Sequence, residues 1–379
     1  MQTDFDIAIC GAGPVGLSLA ALLVLRGTAA SRILLIDART AEQGARDPRS
    51  IALSYGSRQI LESIAAWPIA ATQINQIHVS RRGHFGRTLI DRSDYDLPAL
   101  GYVTRYGDLV TALNAQLTAS GVATMRPASV VGMNETGEAV TVHLAERAGV
   151  CAGIVVQAEG GVFSEQQKKS THRDYQQTAI VAHVDTSAPI AHRAYERFTD
   201  EGPLALLPQD GGYALVWCGR PATAERLLTL NDVQFLDQLS IAFGKRLGIF
   251  TTVTARHAFP LGLNAQPAHT ARSVAIGNAA QTLHPVAGQG LNLGLRDAAV
   301  LARLLAGQAE PSALAAFSRQ RQMDRNTTIR LTDIMARIFA GTPSGTLPQA
   351  VLGASLGMID AIMPAKRLLA EQMMFGRRQ

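Results

Sequence analysis

Gly11-Ala12-Gly13-Pro14-Val15-Gly16 places glycines at the first, third and sixth positions of a six-residue string, between two apolar runs. That spacing has a chemical use. The first glycine permits a tight turn, the second lets a pyrophosphate approach the backbone, and the third lets a helix pack on a strand, while the helix start offers free amides to phosphate. Asp37 closes the next apolar run, Arg32-Ile-Leu-Leu-Ile-Asp-Ala38, where a carboxylate accepts hydrogen bonds from adenosine ribose hydroxyls. An acidic ribose partner disfavours a 2′-phosphate, so FAD or NAD is expected rather than NADP.

A second constellation runs Ala275-Ile-Gly-Asn-Ala-Ala-Gln-Thr-Leu-His-Pro-Val-Ala-Gly-Gln-Gly-Leu-Asn-Leu-Gly-Leu-Arg-Asp297. A strand ends at Asn278, whose side chain can bond a ribityl hydroxyl. A loop with Pro285, Gly288 and Gly290 then starts a helix at Leu291 and Asn292, whose free amides can stabilise negative charge on the pyrimidine ring of a reduced flavin.

The elements around these strings follow from periodicity. Residues 4–10 and 32–38 read as buried strands and 14–26 as a helix, giving a βαβ unit at the start. Helices are expected near 56–66 and 106–120, strands at 138–145, 153–158, 178–184, 213–218 and 273–277, a helix continuing from the Gly-rich loop through 305, and helical structure beyond Pro311, broken near Gly341–Pro348 and at Pro364. The chain has 379 residues, enough for two interleaved domains, with 47% hydrophobic residues and no low-complexity tract.

The two strings together resemble the single-component flavoprotein monooxygenases related to para-hydroxybenzoate hydroxylase, and most closely their ubiquinone-biosynthesis hydroxylase branch, which carries a His/Asn-Pro-x-Ala-Gly-Gln-Gly-x-Asn-Leu-Gly-x-x-Asp signature. Asn278-Ala-Ala-Gln-Thr-Leu-His-Pro285 resembles the 2-octaprenyl-6-methoxyphenol hydroxylase version of that branch. The resemblance covers most of the chain. It implies an α/β fold: an FAD-binding, glutathione-reductase-like Rossmann domain (1–75, 101–178 and 258–310), an interleaved β-sheet substrate domain (76–100 and 179–257) and a C-terminal helical region (311–379). Arg49, in Arg49-Ser-Ile-Ala-Leu53, matches an early family arginine near the flavin, and Arg105 falls where the family contacts FAD. Phe198 to Pro208 resembles a strand of the substrate-side sheet. The family's middle Asp-Gly motif appears here as Glu159-Gly160, with Lys168 or Lys169 where an arginine follows, a departure at the place where the reductant docks. Arg39, just past Asp37, joins the expected cofactor residues.

What the resemblance implies chemically is hydroxylation of a polyprenylated phenol: NADH or NADPH reduces FAD, dioxygen adds at flavin C4a, and the hydroperoxide delivers oxygen to the ring. The flavin carries this chemistry, so few catalytic side chains are expected. His284 is the one candidate, either helping to ionise a phenol or simply bonding backbone in its loop. The alternatives are a flavin-binding assembly subunit of a quinone-biosynthetic complex, or a related flavoenzyme acting on another aromatic substrate; Trp67 and Trp217 are isolated and form no Trp-x-Trp-x-Ile-Pro halogenase string.

Other signals carry less. Cys10, Cys151 and Cys218 form no CxxC pair and the nine histidines no HxxxH, so no metal site is expected. Gly353-Ala-Ser-Leu-Gly357 matches GxSxG, but no histidine follows it to complete a hydrolase triad. The start lacks the basic and apolar segments of a secretory signal, and glycines interrupt the run Ile7–Leu25, so a cytoplasmic protein without a membrane span is expected. A net charge of +5, arginines at 319, 321, 325, 330 and 337 and a Met-rich tail suit either peripheral contact with the inner membrane or a packed helix with a solvated face. Nothing points to nucleic acid.

Overall fold

The structure is a computed structural model that describes residues 3–83, 87–159, 171–265, 269–282, 288–306, 309–340 and 375, with side chains for all of these except 171–173, 263–265 and 328–340. Elements are numbered along the chain. The first sheet is built on β1 (Phe5–Cys10), β2 (Ile33–Ile36) and β11 (Val150–Gln157), which run parallel: Ala8 pairs with Leu34 on one side and with Val155 on the other. Its order is β8-β2-β1-β11-β10-β9, with β8 (Ala123–Met125), β9 (Val130–Glu135), β10 (Val140–Leu144), and β18 (Ser273–Ala275) parallel to β11. β2 is buried at every residue, as a parallel strand covered on both faces must be.

Helix α1 (Pro14–Leu25) is apolar around its whole circumference and buried from Gly16 to Leu23. It can be so because it packs between α4 (Tyr106–Ser120) and α7 (Gln289–Leu305), inside a core of Leu17, Leu19, Leu109, Leu113, Ile276, Leu295 and Leu301. Asn292 ties α7 to the neighbouring segment. Its Oδ1 accepts from the Ser54 amide (2.8 Å) and the Ser57 hydroxyl (2.7 Å), and its Nδ2 donates to the carbonyls of Gly288 and Ala52. Those partners lie in or beside β3 (Ser50–Ser54) and α3 (Tyr55–Ser63), which follows the short helix α2 (Ala41–Ala45).

β3 belongs to a three-stranded antiparallel sheet, β3-β7-β4, with β4 (Ala71–Ile74) and β7 (Gly101–Arg105). This small sheet leans on a much larger one, ordered β19-β17-β12-β15-β14-β13-β5-β6 with β16 beside β12. Its strands are β5 (Gln76–Arg81), β6 (Arg87–Asp91), β12 (Thr171–Thr186), β13 (Arg193–Phe198), β14 (Pro203–Gln209), β15 (Gly212–Gly219), β16 (Phe250–Val253), β17 (His257–Ala265) and β19 (Gln281–Thr282). One face carries Tyr195, Leu206, Leu215 and Trp217 against Phe235, Leu239 and Phe243 of the helical cover, α5 (Pro221–Thr229) and α6 (Asp232–Phe243). Residues alternate between faces, so the opposite one holds Ala179, Val181, Ala194, Ala205, Leu207 and Val216. Ile74 and Val103 of the small sheet cover one end of that face, against Ala194, Ile77 and Leu207.

The last described helix, α8 (Pro311–Ala340), corrects one expectation. Arg321 and Arg325 do not lie on a solvated or lipid-facing side. Both are buried and bonded to Asp297, which is 0% exposed: Arg321 Nε at 2.7 Å and Arg325 Nη2 at 2.9 Å. Arg296 and Arg321 meet Asp324 at 3.1 and 2.6 Å. Three guanidinium groups thus meet two carboxylates, and each retains at least one buried N–H without a partner. The break expected near Gly341, the GxSxG string and the Met-rich tail lie outside the described residues; among those described, no helix is long and apolar enough to cross a membrane.

Burial alone would raise the Asp297 carboxyl, but Arg325 and Arg321 outweigh it and hold it below the usual carboxylate range. Asp297→Ala strands two buried cations and is expected to lose about 3–5 kcal/mol in urea denaturation. A depressed carboxylate stabilises the fold above its unfolded value, about 3.9. The gap between wild type and variant should therefore hold near neutrality and shrink as pH falls below about 4.

Candidate FAD and substrate site

The first glycine string turns between β1 and α1 as its residue types require. Gly11 has φ +111°, and a Cβ there would lie 2.5 Å from the Ala158 carbonyl carbon, so the end of β11 crosses directly over the turn. A Cβ on Gly16 would lie 1.9 Å from the Gly11 carbonyl oxygen. Gly13 is the N-cap of α1 and no side chain caps it; Pro14 at the first helical position has no N–H to satisfy. The remaining first-turn amides face outward from a bare backbone, as an anion site needs.

Asp37 follows β2 and is buried, with its Oδ2 accepting from the Ala12 amide (2.6 Å) and its Oδ1 from the Arg39 amide (2.7 Å). The acid expected to meet ribose therefore also clamps the glycine loop. Glu159 stands close by. Burial, and then the Asp37 charge, push its carboxyl up from the ordinary range.

The second string meets the first at one side chain. Val15 is wedged between Gly277, where a Cβ would sit 3.2 Å from Val15 Cγ2, and Gly294, where it would sit 2.7 Å from the same atom. Gly277 has φ +58° and its amide points to Asp297 Oδ2 at 3.4 Å. Gly288, at φ +59°, is the N-cap of α7 and again no side chain caps it. Asn278 lies beside that first turn, its Oδ1 3.9 Å from a Cβ built on Gly290. Leu291 packs on the core and Asn292 is fully engaged with protein, so both position the helix start. His284 and Pro285 lie outside the described residues.

Arg49 connects these loops to the large sheet. Its Nε and Nη2 bond Asp47, and its guanidinium stacks 5.0 Å from the Tyr106 ring and 5.8 Å from the Phe259 ring. Tyr106 in turn places its hydroxyl 3.2 Å from where a Gly13 Cβ would be. Burial raises the Tyr106 phenol, with Arg49 and Arg39 opposing. Arg105, the residue before Tyr106, is 63% exposed and pairs at 2.9 Å with Asp210 at the β14–β15 turn. The sequence did not single out Tyr106, Phe259 or Asp210. Tyr106 opens a helix that was expected, and an aromatic at a helix start after an arginine is too common to signal a site.

Residues 4–331 match the family model described as an FAD binding domain. The chain belongs to that FAD-binding family. It is 30% identical to the ubiquinone hydroxylase UbiL of Rhodospirillum rubrum, over 97% of this chain and 89% of that protein. It is 29% identical to the 3-demethoxyubiquinol 3-hydroxylase of Escherichia coli, over 94% of each. Among solved structures, p-nitrophenol 4-monooxygenase PnpA from Pseudomonas putida superposes with a TM-score of 0.79 at 16% identity, over all of both chains. The fold is that of the FAD-dependent aromatic monooxygenases, and the chain is an FAD-dependent hydroxylase that draws on NAD(P)H and dioxygen.

Because the α1 turn is built on backbone contacts, Gly16→Ala is expected to cut FAD retained on purification at least tenfold, read from flavin absorbance at equal protein. Gly137→Ala, where a Cβ meets nothing within 4 Å, should keep its full complement.

Proposed function

We propose that this enzyme hydroxylates the aromatic ring of a polyprenylated phenol in ubiquinone biosynthesis. The observation that carries the reading is the Arg49 bridge. It runs from Tyr106, beside Gly13 at the α1 N-terminus, to Phe259 of the large sheet, which supports reading the dinucleotide loop and this sheet face as one site. The named ubiquinone hydroxylases among the relatives supply the substrate class.

The residues fit FAD: the bare glycine turns at Gly11, Gly13 and Gly16 form a cradle that any Cβ would fill. In this reading the free amides of α1 hold the pyrophosphate, Asp37 and Arg39 the adenosine ribose, and Asn278, Gly288 and Gly290 the flavin end. Arg49, Arg105 and Glu159 line the approach, and His284 and Pro285 join on sequence alone. When bound, FAD supplies the oxygen-transfer chemistry. The chain orients the ring against the sheet, keeps water away, and favours negative charge on the cofactor through the positive end of α7. With a single GxGxxG, NAD(P)H docks transiently.

The domain division expected from sequence is moved at two boundaries: 178/179 cuts β12 (Thr171–Thr186) and 257/258 assigns β17 (His257–Ala265) to the FAD-binding domain, and we assign both strands to the substrate domain because they belong to the large sheet. A very apolar substrate and a net charge of +5 favour a cytoplasmic protein that touches the inner membrane, alone or within a biosynthetic complex.

Mass spectrometry of quinone intermediates in cells lacking the gene tests the reading. Accumulation of a 2-polyprenylphenol, reversed by the wild-type gene, is expected. An unchanged quinone profile sinks it. Complementation by a variant that binds no FAD, such as a colourless Gly16→Ala protein, would favour an assembly role instead.

A further inference from the structure

One side chain on the open face of the large sheet does not suit its surroundings. Across five strands the register aligns Val79, Glu196, Ala205, Val216 and Val181, whose side chains therefore share one face. Four are apolar and the fifth is a carboxylic acid; beyond them the row ends on Thr88 beside Val79 and on His257 beside Val181. Glu196 Oε1 is buried and has no hydrogen-bond partner. Among the described residues no ion pair compensates it: burial pushes the carboxyl up to about 8, so at neutral pH the group is mostly uncharged and can donate as well as accept. An ionisable neighbour is the Cys218 thiol, itself pushed up by burial and then by Glu196, and Arg81 lies two residues along β5 on the same face.

A structural purpose does not account for this residue. The small sheet covers the row that contains Ala194 and Leu207, and α5 and α6 cover the opposite face, but the row through Glu196 is only half-buried at Val79, Ala205, Val216 and Val181. The adjacent row, Phe259, Ala179 and Cys218, leads to Arg49 and from there to the α1 loop. Small and branched side chains leave room for a flat ring, and the orphaned acid sits among them. A buried carboxyl oxygen without a partner is costly unless a ligand supplies one.

We propose that Glu196 receives the ring hydroxyl of the substrate, and that this hydrogen bond, in an otherwise apolar surface, selects phenols and fixes the edge of the ring presented to the cofactor. The inference rests on the proposed function for its substrate class, while the residue and its role come from the sheet. It also accounts for an acid rather than a cation: a neutral carboxyl can accept a hydrogen bond from the phenol hydroxyl and donate one to its oxygen, and desolvating a neutral acid costs far less than desolvating an ion.

The test uses the FAD-loaded enzyme and two ligands that differ by one oxygen, 2-geranylphenol and geranylbenzene, with binding read from the change in flavin absorbance. Wild type is expected to prefer the phenol by roughly tenfold to a hundredfold, the range for one buried hydrogen bond. Glu196→Leu should bring that ratio to about one while binding geranylbenzene at least as well as wild type; Glu196→Gln, which still donates and accepts, should keep most of the preference. Glu196→Met serves if the leucine variant fails to retain FAD. A wild-type enzyme that binds both ligands equally, or an apolar variant that keeps the preference, overturns the inference. A wild-type flavin that responds to neither ligand overturns the substrate class instead.

Discussion

Val15 is held between two glycines, and the site depends on that contact. Gly277 at the end of β18 and Gly294 in α7 both approach it so closely that a Cβ on either would fall within 3.2 Å of Val15 Cγ2. Gly16, one residue on, rests on the Gly11 carbonyl. These contacts let α1 and α7 cross closely with the Val15 side chain filling the space at the crossing, and each helix then starts with uncapped amides. An interior packed like a crystal cannot absorb a methyl group there without separating the helices. The buried charges reinforce the packing, because Asp297, one turn beyond Gly294, faces the Gly277 amide while neutralising Arg321 and Arg325 of α8.

Much of this was legible in the residues. The helix expected at 106–120 spans Tyr106–Ser120, and α1 and the strands flanking it fall within two residues of expectation, since glycine spacing and apolar periodicity are local signals. What stayed hidden depends on partners far along the chain. Five arginines along one helix read as a basic surface, and only the fold reveals that two of them pair with Asp297 across 24 and 28 residues. Asn292 read as a cofactor residue of its motif, whereas its four bonds go to protein. The small sheet escaped notice because its strands are only four or five residues long, which leaves too short a pattern to detect.

The two faces of the large sheet divide its work. Under α5 and α6 the side chains are large and interlocked, with Tyr195 in edge contact with Tyr213 and Phe243, and Trp217 with Phe235. This face gives the sheet its stability. The other face carries many alanines and valines, and the row of Val79, Ala205, Val216 and Val181 is only partly covered in a sheet so well buried on its far side. Small side chains there forgo packing energy and leave a surface with room for a ligand, a trade found where binding shapes a fold.

Asp37 shows how the nucleotide loop and its ligand reinforce each other. Each carboxylate oxygen already accepts one backbone amide, from Ala12 and from Arg39, so the side chain is oriented before any ligand arrives. Each oxygen keeps a lone pair in reserve, and a ribose that takes up this capacity does so with little ordering left to perform. Glu159 stands close by, its carboxyl lifted by burial and by the Asp37 charge. A ribose hydroxyl can donate to the Asp37 carboxylate, whereas a phosphate there would face it as a like charge, which agrees with FAD.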